Sequence, residues 1–271
     1  MKILYFGGGL GNQIFEFAFY SYLKKHFPSE HIYSFFRKGC FSEHYGLELT
    51  KWFEAEFPQE KWYAKVIVLI IYLLKKIGTE RFLDRSTTAW SNKKAVVIHP
   101  LKYSRTFVPK ESDWLKWKIK DDDLSDQNIQ ILNKIRSSHS CFIHVRKGDY
   151  LSPKYRSRFE GTCPLSYYDK AIAKVKETYG SVSFFVFSDD IEWARKNLPV
   201  EKASFINWNI GDKSPLDMYL MSQCESAIIA NSTFGFWGAC LGKKKKLCIY
   251  PTKWFNGEPA PDIFSNEWMT Y

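Results

Sequence analysis

The sequence predicts an α/β protein with two units, each built around a parallel sheet. The chain has 271 residues, which suits one large or two modest domains and is long enough for a substantial core. Hydrophobic residues make up 45% and charged residues 25%, an ordinary composition for a soluble globular protein. A strand followed by a helix opens the chain, and strands alternate with helices after residue 140. Such alternation is typical of a parallel sheet covered on both faces.

The first unit is predicted over residues 1–135. Strands are expected at residues 2–6, 31–35 and 95–99 and a helix at 13–27, with a mainly helical, irregular insertion over about 40–95. Within the insertion, the apolar run 66–74 is too short to span a bilayer. It predicts either a buried helix or an interfacial helix that contacts a membrane. The boundary is placed after the helical pattern 124–135.

The second unit is predicted over residues 136–271, where strands and helices alternate regularly. Strands are expected at residues 141–145, 183–187, 203–207, 227–230 and 247–250. Helices are expected at residues 165–179, 191–197, 215–224 and 234–241. Gly180 ends the first of these helices, and Pro215 lies in the first turn of the third.

The opening loop, GGGLGNQ at residues 7–13, follows the first strand and precedes a helix. A dinucleotide fingerprint requires a third glycine where Asn12 stands, and an acidic residue where Phe35 and Phe36 stand. A Walker loop is excluded because no Gly-Lys-Ser/Thr follows. The loop therefore predicts either an anion site at a helix N-terminus or a tight turn.

The segment HVRKGDY, residues 144–150, comes directly after a predicted buried strand. Ligands of open α/β sheets bind at the carboxyl ends of strands. Arg146 has a bidentate guanidinium suited to a phosphate, and Gly148 lets the chain turn. Asp149 is expected to orient Arg146, to accept from a sugar or base, or to take a proton. The alternative is a surface loop with a solvated arginine–aspartate pair.

Two further polar segments follow predicted strands. In FSDD, residues 187–190, one of Asp189 and Asp190 is expected to accept from a guanine and the other to cap the next helix. In NSTF, residues 231–234, hydroxyl groups and helix N–H groups predict a second anion site, with Phe234 and Trp237 as its walls. The alternative for this segment is a helix cap with core aromatic residues.

Charge and cysteine content limit the function classes. The net charge of +10 favours anionic partners, without choosing among nucleic acid, a membrane and phosphorylated small molecules. The six cysteines form no C-x-x-C pair, so we expect no zinc site and read them as reduced, mostly buried thiols. Residues 121–123, all aspartate, are expected to pair with a helix dipole, and the lysines 243–246 to form a solvated run.

Four segments together resemble the α-1,2-fucosyltransferases of glycosyltransferase family 11. They are GGGLGNQIFEFA, HVRKGDY, FFVFSDD and DMYLMSQCESAIIANSTFGFWGA. The resemblance covers both ends of the chain but not residues 40–135. The sequence departs from the family pattern at Lys147, often Arg, and at Gly235-Phe236, often Ser-Trp.

The resemblance implies a GT-B fold of two facing Rossmann-like domains with a cleft between them, the first on the acceptor side and the second binding GDP-fucose. It implies inverting transfer to the 2-hydroxyl of a galactose-type acceptor, without a cofactor or an essential metal. Arg146 would contact the diphosphate, with His144 and Asp189 or Asp190 near the guanosine. The remaining donor-binding residues would be Gly9, Gly11, Ser188, Asn231, Ser232, Thr233, Phe234 and Trp237. Asp149 is the expected base, and Asn12 is expected to position the reacting sugar.

The expected partners are GDP-fucose and a galactose-terminated glycan or glycolipid used in surface glycan biosynthesis. No secretory signal is recognised at Met1-Lys2, so a cytoplasmic protein is expected, with a peripheral contact to the inner membrane face. One alternative is another acceptor, such as a peptide hydroxyl. Another is a non-enzymatic basic nucleotide- or nucleic-acid-binding protein, although the scattered charges favour a protein that binds no nucleic acid.

Overall fold

The computed structural model describes residues 1–36, 46–76, 82–84, 96–98, 104–110 and 114–271. The chain divides into two compact units, residues 1–110 and 111–271. This division falls before the predicted boundary at residue 135, because helix α4 (Asp126–Arg136) packs within the second unit. Asn128 on α4 donates from Nδ2 to Asn209 Oδ1 at 2.9 Å and accepts from Trp208 Nε1 at 2.8 Å.

The first unit is built on a parallel sheet in the order β2-β1-β5-β4. The strands of the whole first unit are β1 (Lys2–Phe6), β2 (Ile32–Phe36), β3 (Phe53–Glu54), which lies outside this sheet, β4 (Leu83–Asp84) and β5 (Val97–Ile98). Its helices are α1 (Leu10–His26), α2 (Leu49–Trp52) and α3 (Trp62–Lys76). The strand predicted at residues 2–6 is confirmed, whereas α1 begins at Leu10 rather than at residue 13. Much of the predicted insertion, and both ends of the strand predicted at 95–99, lie outside the described residues.

The second unit contains a six-stranded parallel sheet in the order β12-β11-β10-β7-β8-β9. The strands of the whole second unit are β6 (Lys116–Trp117), which lies outside this sheet, β7 (Ser140–Val145), β8 (Ser183–Ser188), β9 (Ser204–Ile206), β10 (Ser226–Ile228), β11 (Leu247–Tyr250) and β12 (Met269–Thr270). Besides α4, its helices are α5 (Arg156–Phe159), α6 (Leu165–Tyr179), α7 (Ile191–Asn197), α8 (Pro215–Gln223) and α9 (Thr233–Cys240).

These elements confirm the α/β class and the predicted alternation in the second unit. Every residue of β7 is buried, as expected for a central strand covered on both faces. Tyr168 and Ile172 of α6 pack against this sheet in one apolar cluster with Ile143 and Val186. Each unit therefore has the parallel α/β architecture that the GT-B class predicts for each domain.

The lysine run at residues 243–246 is not solvated throughout, contrary to the prediction. Lys245 Nζ donates to the carbonyl oxygens of Ser222, at 2.8 Å, and Lys243, at 3.1 Å. Burial lowers the pKa of Lys245. Lys246 pairs with Glu225 at 3.0 Å. Lys245 thus fixes the turn between α9 and β11, while Lys243, Lys244 and Lys246 are exposed.

The aspartates at residues 121–123 form a short 3-10 helix of their own. Asp123 Oδ2 accepts from the backbone N–H of Lys120 at 2.8 Å, and Ser125 caps α4. The predicted pairing with the helix dipole is therefore replaced by a local turn.

Free thiols are found at the five cysteines in the described part of the chain, four of them buried. This agrees with the prediction of buried thiols, while Cys40 lies outside the described residues. Across the same described part, no helix has the length and apolar content needed to cross a membrane.

Candidate active site

The order in which the chain adds strands to the second sheet reverses at β7, and this switch point defines the candidate site. From β7 the chain proceeds to β8 and β9 on one side, and it then returns to place β10 on the other side. Val145 at the end of β7 is in register with Ser188 of β8, while Ile143 is in register with Ile228 of β10. The loops that follow β7, β8 and β10 therefore meet at one edge. Ligands of open α/β sheets bind in the crevice at such a switch point.

Arg146 and Asp189 are brought together at this edge. Arg146 Nε lies 3.3 Å from Asp189 Oδ2, with side chains that are 30% and 20% exposed. Asp189 Oδ1 accepts from the backbone N–H of Lys147 at 2.8 Å. A Cβ atom at Gly148 would lie only 2.9 Å from Asp189 Oδ2, so the absence of a side chain there makes room for the carboxylate. Asp189 therefore orients both the guanidinium and the loop that carries it.

The structure thus gives Asp189 the orienting role that the sequence suggested for Asp149. The Asp149 side chain lies outside the described residues, and its backbone begins a short 3-10 helix, Asp149–Leu151. Its expected function as a base stays a prediction. The ring of Tyr150, the next residue, lies 5.6 Å from Arg146 Cζ.

Asp190 and Ser188 shape the start of α7. Asp190 Oδ1 accepts from the backbone N–H of Trp193 at 3.0 Å, which confirms that one of the two aspartates caps this helix. Ser188 Oγ accepts from the backbone N–H of Asp190 at 2.9 Å. These hydrogen bonds hold the segment that presents Asp189.

His144 is buried on β7 beside the first turn of α9. Its Nδ1 atom has no hydrogen-bond partner among the described residues. Burial, together with the charge of Arg146, lowers the pKa of His144 to about 3, so the ring is neutral at physiological pH. A Cβ atom at Gly235 would lie 2.6 Å from Nδ1, and the ring of Phe234 lies 6.0 Å away. Glycine at position 235 therefore allows α9 to approach the imidazole.

The N-terminus of α9 lies on the other side of the switch point. Ser232 caps the helix, with Oγ accepting from the backbone N–H of Phe234 at 3.3 Å. Thr233 is the first helical residue, and the side chains of Thr233 and Phe234 are half-buried. The first N–H groups of a helix lack intrahelical acceptors and favour an anion.

Two side chains that were predicted to bind the donor, Asn231 and Trp237, make hydrogen bonds or packing contacts within the fold. Asn231 is buried, accepting from Cys163 Sγ at 3.3 Å and donating to the carbonyl oxygen of Trp254 at 2.9 Å. Trp237 is fully buried, with its ring 5.8 Å from that of Trp114. Their side chains stabilise the loop and the core, and their expected part in the donor site stays a prediction. Trp237 follows the alternative of a core aromatic residue.

The glycine loop of the first unit has the predicted position at a helix N-terminus. Gly9 is the N-cap of α1, and Gly11 is buried in its first turn. Gly7 donates its N–H to Glu16 Oε2 at 2.9 Å. One N–H group of the proposed anion site therefore already has a carboxylate acceptor within the fold. The Oδ1 atom of Asn12 is buried without a hydrogen-bond partner among the described residues.

Gln13 and Glu16 are buried polar residues that the sequence interpretation did not single out. Gln13 Nε2 donates to the carbonyl oxygens of Gly8, at 2.9 Å, and Gly46, at 2.8 Å, and its Oε1 accepts from the N–H of Glu48 at 2.9 Å. They are polar side chains within the apolar run of α1 that includes Ile14, Phe15 and Phe17. That contrast was the available signal, because buried polar groups need specific partners.

The family model of glycosyl transferase family 11 matches residues 86–271. The chain is 34% identical over 158 residues to the O-antigen biosynthesis glycosyltransferase WbnK of Escherichia coli, covering 56% of this chain and 52% of that protein. It is 34% identical over 172 residues to an alpha-1,2-colitosyltransferase of Escherichia coli, covering 62% and 55%. The chain thus spans about half the length of these curated relatives.

Solved structures give weaker matches over most of the chain. The NodZ alpha-1,6-fucosyltransferase soaked with GDP-fucose has a TM-score of 0.49 at 16% identity, covering 89% of this chain and 92% of that chain. POFUT1 in complex with GDP has a TM-score of 0.46 at 12% identity, covering 92% and 98%.

Proposed function

The chain belongs to glycosyl transferase family 11, and from that premise we propose that it transfers L-fucose from GDP-fucose to the 2-hydroxyl of a galactose-type acceptor, with inversion at the anomeric carbon. The relatives whose names include alpha-1,2-colitosyltransferase and galactoside alpha-(1,2)-fucosyltransferase support this reaction class. The expected acceptor is a galactose-terminated glycan or glycolipid. The relative named for O-antigen biosynthesis supports a place in surface glycan assembly.

The observation that carries the proposal is the pairing of Arg146 with Asp189 at the switch point of the second sheet. Arg146 Nε and Asp189 Oδ2 lie 3.3 Å apart, so the guanidinium is held in a fixed orientation. The N-terminus of α9 begins from the neighbouring strand β10. A guanidinium and helix N–H groups at one crevice suit a nucleoside diphosphate.

These groups are expected to act on the charge that the reaction develops. The acceptor oxygen forms a bond to the anomeric carbon as the bond from that carbon to the diphosphate oxygen breaks. The electron pair stays with GDP, and the acceptor proton passes to a base, for which Asp149 is the candidate. Arg146 stabilises the negative charge as it grows, which lowers the barrier more than it strengthens substrate binding. No metal is required in this scheme, because Arg146 and the N–H groups supply the positive charge.

The neutral imidazole of His144 is suited to a hydrogen bond rather than to an ion pair. Its Nδ1 atom is buried without a partner in the described part of the chain, and a buried polar group of this kind is stabilised when a ligand completes the hydrogen bond. This fits the expected position of His144 near the guanosine. Ser188, Ser232, Thr233 and Phe234 are proposed to complete the donor site, and Asn12 is proposed to position the reacting sugar.

The colitosyltransferase relative favours a second candidate donor. Colitose is L-fucose without its 3-hydroxyl group, so both sugars would present the same anomeric centre. A site that hydrogen-bonds the 3-hydroxyl rejects the deoxy sugar strongly, whereas an apolar contact does not. A peptide hydroxyl as acceptor is the remaining enzymatic alternative. We propose a cytoplasmic location with a peripheral contact to the inner membrane face.

A transfer assay tests the proposal directly. GDP-fucose and GDP-colitose are offered in parallel over a set of galactose-terminated acceptors and serine- or threonine-containing peptides, and the new linkage is determined by NMR. The expected product carries fucose on the 2-hydroxyl of galactose. Transfer to peptides alone, transfer of colitose alone, or GDP binding with no transfer to any acceptor would each contradict the proposal.

A further inference from the structure

Helix α3 has an apolar stripe on the side that faces away from the first sheet. Its inward residues, Ala64, Val68 and Ile71, are buried in a cluster with Ile3 and Val97. The outward residues follow at spacings of four, three and four, so they share one face of the helix. This set, here named the α3 stripe, consists of Trp62, 76% exposed, Val66, 45%, Leu69, 61%, and Leu73, 53%.

The packing of the first unit does not account for the α3 stripe. A helix that covers a sheet needs one apolar face, and α3 has a second one directed at solvent. Ile70, 50% exposed, widens the stripe on one edge. Contiguous exposed apolar residues of this kind mark an interaction surface.

The charged residues of α3 itself are all lysines. Residues 61–76 include Lys61, Lys65, Lys75 and Lys76 and contain no aspartate or glutamate. Lys65 and Lys76 are exposed, and their spacing from the stripe residues places them along one of its edges. Lys65 Nζ also lies 3.1 Å from Glu60 Oε2, just before the helix.

We propose that the α3 stripe lies on a bilayer surface that contains anionic headgroups, with the helix axis parallel to the membrane plane. Apolar residues on one face and lysines beside them are the pattern of helices that bind at this interface. Leu69 and Leu73 would enter the acyl boundary, while Trp62 has an amphipathic ring suited to the headgroup level. The lysines would remain at the anionic headgroups.

The charges favour a bilayer over a second copy of the chain. In an antiparallel pair of α3 helices, the edge that carries Lys65 and Lys76 would lie beside the same edge of the other copy, so Lys65 of one copy would lie near Lys76 of the other. This arrangement opposes like charges, and residues 61–76 contain no carboxylate to offset them. An anionic membrane supplies distributed negative charge along the whole stripe.

Vesicle flotation tests this surface independently of the transfer reaction. The probes are vesicles of phosphatidylcholine alone and of phosphatidylcholine with about one-third phosphatidylglycerol. The double variant Leu69→Gln/Leu73→Gln removes the apolar contact at exposed positions. Ile210→Gln is the matched control, because Ile210 is 77% exposed in the second unit. Circular dichroism checks that each variant remains folded.

We expect the unaltered protein to float with the anionic vesicles, and binding to fall at least about tenfold in the double variant. Ile210→Gln should bind like the unaltered protein, and Lys65→Gln/Lys76→Gln should weaken the preference for anionic lipid. Absence of vesicle binding, or equal binding by the double variant, would overturn the proposal. A dimer that the double variant dissociates, without any effect on vesicle binding, would assign the stripe to a second copy instead.

Discussion

Arg146 is the residue on which the proposed chemistry depends most directly. Arg146→Lys keeps the positive charge but removes the planar fork that fits a diphosphate. We expect the turnover rate to fall by at least about 100-fold, because charge on the leaving diphosphate is no longer stabilised in the correct geometry. The GDP-fucose transfer assay measures this, with Arg136→Lys, an exposed residue in the last turn of α4, as the control. Near-normal turnover in Arg146→Lys would remove Arg146 from the mechanism.

Asp189 acts on the reaction through Arg146, and Asp189→Asn tests this positioning role. The amide oxygen still accepts from the N–H of Lys147, but the charged partner of Arg146 Nε is lost. We expect turnover to fall about tenfold, and the loss not to add to that of Arg146→Lys in a double-mutant cycle.

Asp190→Asn is the matched control for that experiment, since asparagine caps helices about as well as aspartate. It should leave turnover close to normal. An equal loss in the two aspartate variants, or full additivity of Asp189→Asn with Arg146→Lys, would show that Asp189 does not act through Arg146.

Two helices of the second unit are joined by a buried polar network that contains Asp217. On α8, Asp217 Oδ1 accepts from Asn209 Nδ2 at 2.7 Å, and Asn209 in turn bonds Asn128 of α4. Burial raises the pKa of Asp217 to about 7, although the hydrogen bond from Asn209 opposes this shift. The carboxyl group of Asp217 therefore gains or loses a proton near neutral pH, within the network that links α4 and α8.

The raised pKa predicts how stability changes with pH. The unfolded pKa of aspartate is about 3.9, so between pH 4 and 7 the folded chain binds more protons at this site than the unfolded chain. The contribution of Asp217 to the free energy of unfolding is fully present below that range. It is lost as pH rises through about 7, at up to about 1.4 kcal/mol per pH unit. Asp217→Asn should remove this loss. The free energy of unfolding of the variant, relative to that of the unaltered protein, should therefore be higher at pH 8 than at pH 5.

Urea unfolding of Asp217→Asn and the unaltered protein at both pH values measures the difference. Asp169→Asn, at an exposed position on α6, is the control. An unchanged difference between pH 5 and pH 8 in Asp217→Asn would mean that Asp217 is ionised at little cost in the folded protein.

Two other helices of the second unit, α6 and α7, show which parts of the fold a sequence can predict. The ends of α6 and α7 are predicted correctly because their signals are local, including Gly180 with a φ of +67° after α6. By contrast, Asn128 bonds a residue 81 positions away, and Asp189 bonds a backbone N–H 42 positions away. Periodicity carries no information on such pairings, so it did not indicate that α4 bonds within the second unit or that Asp189 pairs with Arg146.

The candidate site was predictable to the extent that strand ends determine position. Arg146 and Asp189 follow adjacent parallel strands, so their proximity follows from the sheet order. The direction of each side chain depends on packing, which is why Trp237 is found in the core while His144 faces α9. Nothing in the sequence pattern predicts that Nδ1 of His144 has no hydrogen-bond partner among the residues that the structure describes.

At the scale of the whole molecule, the charge of +10 is compatible with either a nucleotide-sugar enzyme or a nucleic-acid-binding protein. Calorimetry separates them through salt and metal dependence. We expect GDP to bind in the presence of EDTA, because the proposed site uses a guanidinium and N–H groups for the diphosphate. Arg146→Lys should weaken GDP binding, and Arg136→Lys should not. Binding that EDTA abolishes and Mg²⁺ restores would contradict a metal-independent donor site. Tight single-stranded DNA binding with a steep salt slope would favour the nucleic-acid alternative, since that slope reports the release of counterions from many phosphates.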